Sequence, residues 1–493
     1  MVLMYHSTRD ASLRATDAEA LLQGLAPDGG LFVPEKIPTV DFRAWRGLRF
    51  EEVAQRIFRL YFPSLGEERI ANVVKTAYDK RFRTRQICPV HPVDQTLALL
   101  ELWHGPTLAF KDIALSALPH LMRAAQEVTG DTDRLLILTA TSGDTGKAAM
   151  EGFAGVDGFG VLVFYPADGV SRAQEKQMCT QKENNVFAYA VEGNFDDCQR
   201  AVKAFFTDKA MASSLKKQGV RLSSANSINI GRLVPQIVYY FTAYESLVLA
   251  GAISEGAPLD VTVPTGNFGD VLAGYYAKRM GLPLRILTVA SNTNHVLTDF
   301  GQSGTYDARR ELVRTTSPSM DILVSSNLER FLYHESKDAE IVRVEMQKLA
   351  SEGHFSFALS DKDMRWGYAD EDAVQETIAT LYRTAHQVVD PHTAVALHVQ
   401  KMLSDAQSDK DEARAYQLVL STASPFKFAD TVLRALHRPV PASLAQQWEE
   451  LAALSKVPVP EPLRVLAREK GHAPQRLTRE AMRDAVIGFA KGV

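Results

Sequence analysis

The sequence predicts an α/β fold built on mostly parallel sheets, and three observations support this. Short runs of β-branched and aromatic residues alternate with helical patterns through the central part of the chain, which is typical of strand–helix–strand units. Two loops that follow such runs are rich in small residues, and they lie where ligands bind in such sheets. The chain also has 493 residues, which is too long for one simple core, so we expect two or three domains.

The central strands and helices are predicted from periodicity. Uninterrupted apolar runs predict buried strands, and apolar residues that recur every three or four positions predict helices. Ser171 is a suitable N-cap for the helix that follows it. The predicted strands cover residues 135–139, 161–165, 186–191, 261–264 and 284–289, and the predicted helices cover 147–153, 171–181, 195–215 and 270–280.

The flanks of the chain differ from this central region and suggest a division into domains. Residues 1–95 are mixed in pattern and rich in turns, so we expect them to form an N-terminal lobe. Residues 96–430 should form two α/β lobes, the smaller at about 130–215, because strands and helices alternate there. Prolines bracket a short helical pattern in residues 431–493, which we expect to form a packed helical appendage.

Composition narrows the classes of function. The chain is 46% hydrophobic and 23% charged, with a formal net charge of −4, which is the balance of an ordinary globular protein and not of a nucleic-acid-binding surface. The three cysteines lack metal-ligand spacing, so we expect small buried side chains and neither a disulfide scaffold nor a metal site. A small polar ligand is the natural expectation.

The sequence also predicts a cytoplasmic location. No apolar run reaches the ~20 residues needed to cross a bilayer, and Glu245 interrupts the longest candidate. Residues 1–9 do not have the pattern of a secretory signal. Whether the protein is a monomer or a homodimer stays open at this stage.

The loop of residues 141–147 follows a predicted strand and opens a helix. Free N–H groups and the helix dipole at such a position favour an anion, and the hydroxyls of Ser142 and Thr145 could add hydrogen bonds. It is not a P-loop, because Thr141 replaces the first glycine and Ala148 replaces the magnesium-binding hydroxyl residue. An ordinary capped turn is the alternative.

The loop of residues 264–270 has the same position after a strand. Gly266 and Gly269 allow close approach of the backbone to a ligand, and the helix that follows points its N–H groups at an anion. A phosphate would suit this loop. The alternative is a tight turn in which Asp270 caps the helix.

Two further segments carry chemistry only in combination with these loops. Lys111 lies among Leu108, Phe110 and Ile113, and burial there would lower the pKa of its amine and favour the neutral form that a Schiff base requires. Considered alone, a lysine at the start of a helix is usually solvated. Residues 420–428 place hydroxyl groups at the end of a strand, which by itself is more typical of a plain turn.

Together, these and other segments resemble the threonine synthase family, whose members are fold type II pyridoxal-phosphate enzymes of the tryptophan synthase β-like class. The resemblance runs from about residue 5 to residue 430, most of the chain. Its motifs lie at residues 5–9, 24–34, 110–112, 142–146, 193–197, 226–229, 266–270, 390–393, 421–423 and 427–428.

The resemblance implies pyridoxal 5′-phosphate as cofactor. Lys111 matches the lysine that holds the cofactor covalently, and Thr422 matches the hydroxyl residue that faces its pyridine nitrogen. The loop that cups the cofactor phosphate is matched by Gly266, Asn267, Phe268, Gly269 and Asp270.

The resemblance also implies a reaction, the conversion of O-phospho-L-homoserine and water into L-threonine and phosphate. The residues that match the loop for the substrate carboxylate are Ser142, Gly143, Asp144 and Thr145. Candidates for the departing phosphate are Asn226, Arg232 and Lys427.

Three alternatives remain open at this stage. The nearest is a phospho-lyase of the same fold that releases 2-oxobutyrate, and a serine or threonine dehydratase is more distant. A non-catalytic cofactor-binding homologue is the third.

Overall fold

Two parallel sheets, one of six strands and one of five, form the frame of the molecule. The computed structural model describes residues 3–492 apart from 142, 168, 194 and 407–414. The prediction of α/β lobes with mostly parallel sheets is confirmed, because among these described residues only one strand of the two sheets, at the edge of the larger one, runs antiparallel to its neighbour.

The N-terminal region is a small antiparallel sheet with helices packed against it. Tyr5 is fully buried and donates a hydrogen bond to the carbonyl of Tyr61 at 2.8 Å, which joins the sheet to the second helix. Its elements are β1 (Met4–Ser7), β2 (Arg14–Thr16), α1 (Asp17–Gln23), β3 (Phe32–Pro34), α2 (Phe50–Tyr61) and α3 (Glu67–Tyr78).

Two strands and a long helix then lead into the smaller of the two sheets. Two of its central strands, at residues 134–140 and 159–166, are buried on both faces, as parallel strands covered by helices should be. The elements are β4 (Val90–Pro92), β5 (Leu97–Glu101), α4 (Lys111–Thr129), β6 (Arg134–Ala140), α5 (Asp144–Phe153), β7 (Phe159–Pro166), α6 (Arg172–Met178), β8 (Val186–Val191), α7 (Phe195–Thr207), α8 (Lys209–Lys216) and β9 (Val220–Ser223).

The predicted single helix over residues 195–215 is wrong in one respect, because the structure divides it into α7 and α8. Asp208 ends the first helix and caps the second, accepting a hydrogen bond from the N–H of Met211 at 2.9 Å. The apolar periodicity continues through the break, so periodicity alone did not reveal it. The N-cap of α6 is confirmed at Ser171, which accepts a bond from the N–H of Gln174.

The larger sheet is built from the chain that follows β9. Its elements and their neighbours are α9 (Ile230–Leu249), β10 (Leu259–Pro264), α10 (Gly269–Arg279), β11 (Leu284–Ser291), α11 (Val296–Ser303), β12 (Thr305–Asp307), α12 (Leu328–Ser336), α13 (Ala339–Glu352), β13 (His354–Ser356), β14 (Met364–Tyr368), α14 (Glu371–Ala385), α15 (Pro391–Ala406) and β15 (Tyr416–Ser421). Together with β4 and β5, the strands have the order β14-β11-β10-β15-β5-β4. Helices cover both faces of this sheet, and an antiparallel pair, β12 with β13, lies outside it.

The C-terminal region connects the two sheets. It comprises α16 (Ala429–Ala435), α17 (Leu444–Ser455), α18 (Glu461–Arg468), β16 (Gln475–Leu477) and α19 (Met482–Ala490). Strand β16 was not predicted, and it extends the five-stranded sheet by pairing parallel to β8, with Gln475 opposite Tyr189. Helix α19 packs its buried side chains, Met482 and Val486 among them, into the core of the smaller lobe.

Two further expectations concern the chain as a whole. Cys88, Cys179 and Cys198 are buried and free of disulfide bonds, as the sequence predicts. Across the described ranges, no helix is long and apolar enough to span a membrane.

Candidate active site

A cavity of about 530 Å³ lies at the carboxyl ends of the strands, between the two lobes. Such a crevice is the usual ligand site of a parallel sheet. The predicted residues that line it are Lys111, Thr145, Asn226, Arg232, Gly266, Asn267, Phe268, Gly269, Asp270 and Thr422. The fold therefore brings most of the candidate residues together.

Lys111 is the first residue of α4, and its approach to the cavity is fixed by the segment after β15. The N–H of Phe110 donates to the carbonyl of Thr422 at 2.8 Å, and Ala109 forms an isolated bridge with Ala423. These bonds place Lys111 and Thr422 on the same wall. Among the described residues, the hydroxyl of Thr422 has no protein partner, so it is available to a ligand.

The amine of Lys111 lies in a largely buried, polar environment. Its Nζ is 3.4 Å from the Oγ of Ser319 and 3.8 Å from the nearer carboxylate oxygen of Asp144, and the side chain is 12% exposed. Burial lowers the pKa of this amine to about 8, although the carboxylate of Asp144 opposes that change. A substantial neutral fraction at neutral pH is what a nucleophilic amine requires.

The loop between β10 and α10 is shaped as an anion cradle. Phe268 has a φ of 62° and turns the chain into the helix. Within the described residues, the N–H groups of positions 266–269 have no partner. The loop is held from outside, since the carbonyl of Asn267 accepts bonds from the N–H and Nδ2 of Asn327, both at 3.1 Å.

The side chain of Asp270 does not serve as an anion ligand. Its Oδ1 accepts bonds from the hydroxyls of Tyr239, at 2.5 Å, and Tyr240, at 3.0 Å. Burial raises the pKa of this carboxyl to about 6, although the two tyrosine bonds oppose the increase. The side chain therefore stabilises the start of α10, while the N–H groups before it remain free.

The loop after β6 is the second anion site predicted from the sequence. Gly143 has a φ of +132°, and a Cβ there would lie 2.4 Å from Gln174, so only glycine fits. At the start of α5, the N–H groups of Asp144 and Thr145 have no partner within the described part of the chain. Ser142 lies outside the described residues.

Asp144 and Lys427, two predicted substrate ligands, contact each other instead of the cavity. The Nζ of Lys427 donates to the Oδ1 of Asp144, and the side chains are 0% and 3% exposed, respectively. The carboxylate is a hydrogen-bond acceptor only, so it cannot donate to a substrate carboxylate. The lysine has its charge already neutralised.

Arg232 differs from Lys427 in having no acidic partner in the part of the chain that the structure describes. It projects from the first turn of α9, donates to the carbonyl of Ala225 and leaves its buried Nε without a partner among the described residues. Burial lowers the pKa of its guanidinium to about 10, so it remains a cation at neutral pH. Asn226 lines the same side of the cavity.

Sequence reasoning missed Ser319, which lies close to the reacting amine. The N–H of Ser319 donates to the Nε2 of His392 at 3.2 Å, and the other ring nitrogen of His392 donates to Asp390 at 2.6 Å. The motif at 390–393 was noted without a role. It fixes the segment that carries the Ser319 hydroxyl, whose own sequence context gives no signal of proximity to Lys111.

Arg330 is a second residue that the sequence did not single out. It is fully buried and joins three segments around the cavity by donating to the carbonyls of Phe32 and Ile228 and to the side chain of Asn327. Since Asn327 holds the 264–270 loop, Arg330 fixes that loop relative to the N-terminal region.

Three family models match parts of this chain. Residues 91–419 match the family described as "Pyridoxal-phosphate dependent enzyme", residues 4–78 match "Threonine synthase N terminus", and residues 393–468 match "Threonine synthase, C-terminal". A threonine synthase from Saccharomyces cerevisiae is 38% identical over 88% of this chain and 89% of its own length.

The chain belongs to the threonine synthase family of pyridoxal-phosphate-dependent enzymes. It is also similar to a crystal structure of PLP-bound threonine synthase from Brucella melitensis, with 36% identity, a TM-score of 0.84, and coverage of 99% of this chain and 100% of that one. Human threonine synthase-like 1 is 41% identical over 85% of this chain, and the match spans 58% of the human protein's length. The fold type II prediction is thereby confirmed.

Proposed function

We propose that this protein is a threonine synthase, which converts O-phospho-L-homoserine and water into L-threonine and phosphate with pyridoxal 5′-phosphate as cofactor. The observation that carries the proposal is the coexistence, in one cavity, of the Lys111 amine, two loops with free N–H groups, and the Arg232 guanidinium, whose Nε has no partner among the described residues. A cofactor phosphate, a substrate carboxylate and a departing phosphate need three such anion sites. The 36–38% identity to threonine synthases supports the same function.

The residues present fit the cofactor. The free N–H groups of positions 266–269 would hold its phosphate, Lys111 would hold it covalently, and Thr422 would offer a hydroxyl to its ring nitrogen. When bound, pyridoxal phosphate supplies an electron sink for the charge that forms at the substrate Cα. A hydroxyl at the ring nitrogen, in place of a carboxylate, favours the unprotonated nitrogen.

Lys111 is suited to take and return protons at Nζ. With a pKa of about 8, roughly a tenth of the amine is neutral at pH 7, against about one part in 3,000 for an unperturbed lysine at 10.5. The amine can therefore accept the Cα proton near neutral pH. A general base works best when its pKa lies close to the working pH.

Arg232 and Asn226 are proposed to receive the phosphate that leaves from the substrate. An arginine without an acidic partner can donate charge-assisted hydrogen bonds to a phosphate, and the Nε of Arg232 has no partner among the described residues. Lys427 is not included, because its charge is neutralised by Asp144. The substrate carboxylate would be received by the free N–H groups at the start of α5, together with Thr145.

The remaining expectations belong to the same proposal. Three reduced, buried cysteines fit a cytoplasmic location, and the protein is expected to act as a monomer or homodimer. Size-exclusion chromatography with light scattering would settle the oligomeric state.

Product analysis with a lysine control tests the function. Purified protein would be incubated with cofactor and O-phospho-L-homoserine, and threonine, phosphate and 2-oxobutyrate would be measured together. We expect threonine in step with phosphate, and loss of turnover in Lys111→Ala. Lys278→Ala is the matched control, since Lys278 pairs with Asp363 at the far end of α10; it should retain turnover. Phosphate with 2-oxobutyrate would assign the protein to the phospho-lyases instead.

A further inference from the structure

Asp144 has a set of contacts that a substrate ligand does not need. Its Oδ1 accepts bonds from the Nε2 of Gln174, at 2.9 Å, and from the Nζ of Lys427. Its Oδ2 accepts a bond from the Oγ of Ser319 at 3.1 Å and lies 3.8 Å from the Nζ of Lys111. Four segments of the chain therefore hold one buried carboxylate beside the reacting amine.

Two lysines stabilise the negative charge of Asp144. Burial alone would raise the pKa of this carboxyl, but the positive charges of Lys427 and Lys111 hold it well below its usual range. A buried carboxylate without such partners would be protonated instead. The positive charges of Lys427 and Lys111 are thus the reason that a negative charge can persist 3.8 Å from the Nζ of Lys111.

The neighbouring helix explains why the carboxylate has a fixed orientation. Gln174 is in the first turn of α6, where its Oε1 accepts the N–H of Ser171 at 2.9 Å in a capping box. The same side chain then donates its Nε2 to Asp144. Because both ends of the amide are used, its rotation is restricted, and so is the carboxylate that it contacts.

We propose that Asp144 is a positioning residue, the fixed counter-charge that orients and tunes the Lys111 amine, and that Lys427 is the buried cation that holds this charge in place. The inference rests on the proposed function only in taking Lys111 as the reacting amine. It reassigns the side chains of Asp144 and Lys427 from substrate binding to the control of Lys111, while the backbone N–H of Asp144 keeps its proposed role.

The pKa of the Lys111 amine depends on all the charged or titratable groups that face it. Negative neighbours stabilise the protonated amine and positive neighbours destabilise it. The negative or acidic neighbours are Asp144 on α5, Asp112 on α4 and Asp270 on α10, and the positive ones are Lys427 after β15 and Arg232 on α9. His392 is separated from Lys111 by Ser319, whose N–H donates to the Nε2 of His392.

The two partners should move the titration of Lys111 in opposite directions. Asp144→Asn removes the nearest negative charge and leaves Lys427 unneutralised, so the pKa of Lys111 should fall by about one unit or more. Lys427→Met removes a positive charge and leaves Asp144 to pair with Lys111, so that pKa should rise. In Asp144→Asn/Lys427→Met both charges are gone, and the pKa should return close to the wild-type value.

The test measures the amine directly in the full-length chain freed of cofactor. Trace acetylation with acetic anhydride across pH 6–11, followed by mass spectrometry of the peptide that contains Lys111, gives the midpoint of its titration. Asp260→Asn is the matched control, because Asp260 is a buried carboxylate paired with Arg285 at the opposite end of β10 from the cavity. Its midpoint should equal that of the wild type.

Opposite shifts in the single variants and a restored midpoint in the double variant would support the inference. It would be overturned if the single variants shifted in the same direction, or if Asp144→Asn stayed within about 0.2 units of the wild type. If Asp144→Asn does not fold, Lys427→Met and the double variant decide: an upward shift and a restored midpoint support the inference, and any other result overturns it. Labelling requires no turnover, so failure to form threonine would count against the proposed function alone.

Discussion

Replacing Gly266 by alanine should displace the segment that carries Ser319. A Cβ at position 266 would lie 2.7 Å from the carbonyl oxygen of Ser319 and 3.4 Å from the Cα of Met320. Ordinary contacts of a Cβ begin near 3.4 Å, so the two segments must separate by about 0.7 Å. Both neighbouring atoms belong to the backbone, which cannot rotate away as a side chain could.

The displacement should lower both stability and activity. Added volume in a packed site commonly costs about 1–3 kcal/mol of unfolding free energy. The hydroxyl of Ser319 is 3.4 Å from the Nζ of Lys111, and a shift of about 1 Å near reacting groups can reduce turnover by about 10²-fold. We therefore expect a loss of stability of 1–3 kcal/mol, by the same overpacking argument, together with a fall in kcat.

Urea unfolding followed by circular dichroism measures the first effect, and steady-state threonine formation measures the second. Gly269→Ala is the stability control, because its Cβ would lie 3.5 Å from both Asn327 and Ser227, an ordinary distance. That variant should unfold at about the wild-type urea concentration. Wild-type stability and kcat in Gly266→Ala, or an equal loss of stability in Gly269→Ala, would show that the added Cβ does not displace the Ser319 segment.

Three further predictions follow from the charges in the cavity. The pKa of Lys111 is about 8 in the folded protein, against 10.5 for the model amine. Between pH 8 and pH 10.5 the unfolded chain therefore binds more protons than the folded protein. The difference in unfolding free energy between the wild type and Lys111→Met should rise with pH across this window, by at most about 3 kcal/mol. A difference that does not change with pH in urea titrations would contradict this prediction. Arg232→Met should lower kcat/KM for O-phospho-L-homoserine by about 10²-fold or more, since it removes a buried charge-assisted bond to phosphate. An unchanged kcat/KM would exclude Arg232 as a ligand of the substrate phosphate. Asp144→Asn should lose about 3 kcal/mol of unfolding free energy, because Lys427 is left as a buried, unpaired cation. The double variant Asp144→Asn/Lys427→Met should lose less, because neither charge remains. If urea unfolding gives a loss in the double variant equal to the sum of the two single losses, the prediction is wrong.

Much of the fold could be predicted from local patterns. The predicted strands 161–165 and 186–191 correspond to β7 and β8 within a few residues, because buried parallel strands give uninterrupted apolar runs. Strand β16 could not be predicted, since three residues gain their strand character only from pairing with β8, which is far away in sequence. The break at Asp208 was missed because a cap interrupts a helix without changing the apolar period.

The parts of the candidate site that lie within one loop could be predicted from neighbouring residues in the sequence. Contacts between segments that are distant in the sequence could not. The 264–270 loop has its glycines and helix start within seven residues, and Lys111 has its apolar neighbours beside it. The partners of Asp144, in contrast, are 30, 175 and 283 residues away. A sequence shows that Asp144 is acidic, but only the fold shows that its charge is already neutralised.

The product balance with O-phospho-L-homoserine tests the proposed synthase activity most directly. The protein is incubated with pyridoxal 5′-phosphate and this substrate, and the molar amounts of threonine, phosphate and 2-oxobutyrate are measured in the same samples. We predict equal amounts of threonine and phosphate, with none formed by Lys111→Ala. Phosphate accompanied by 2-oxobutyrate, or no phosphate from protein that has bound the cofactor, would contradict the account.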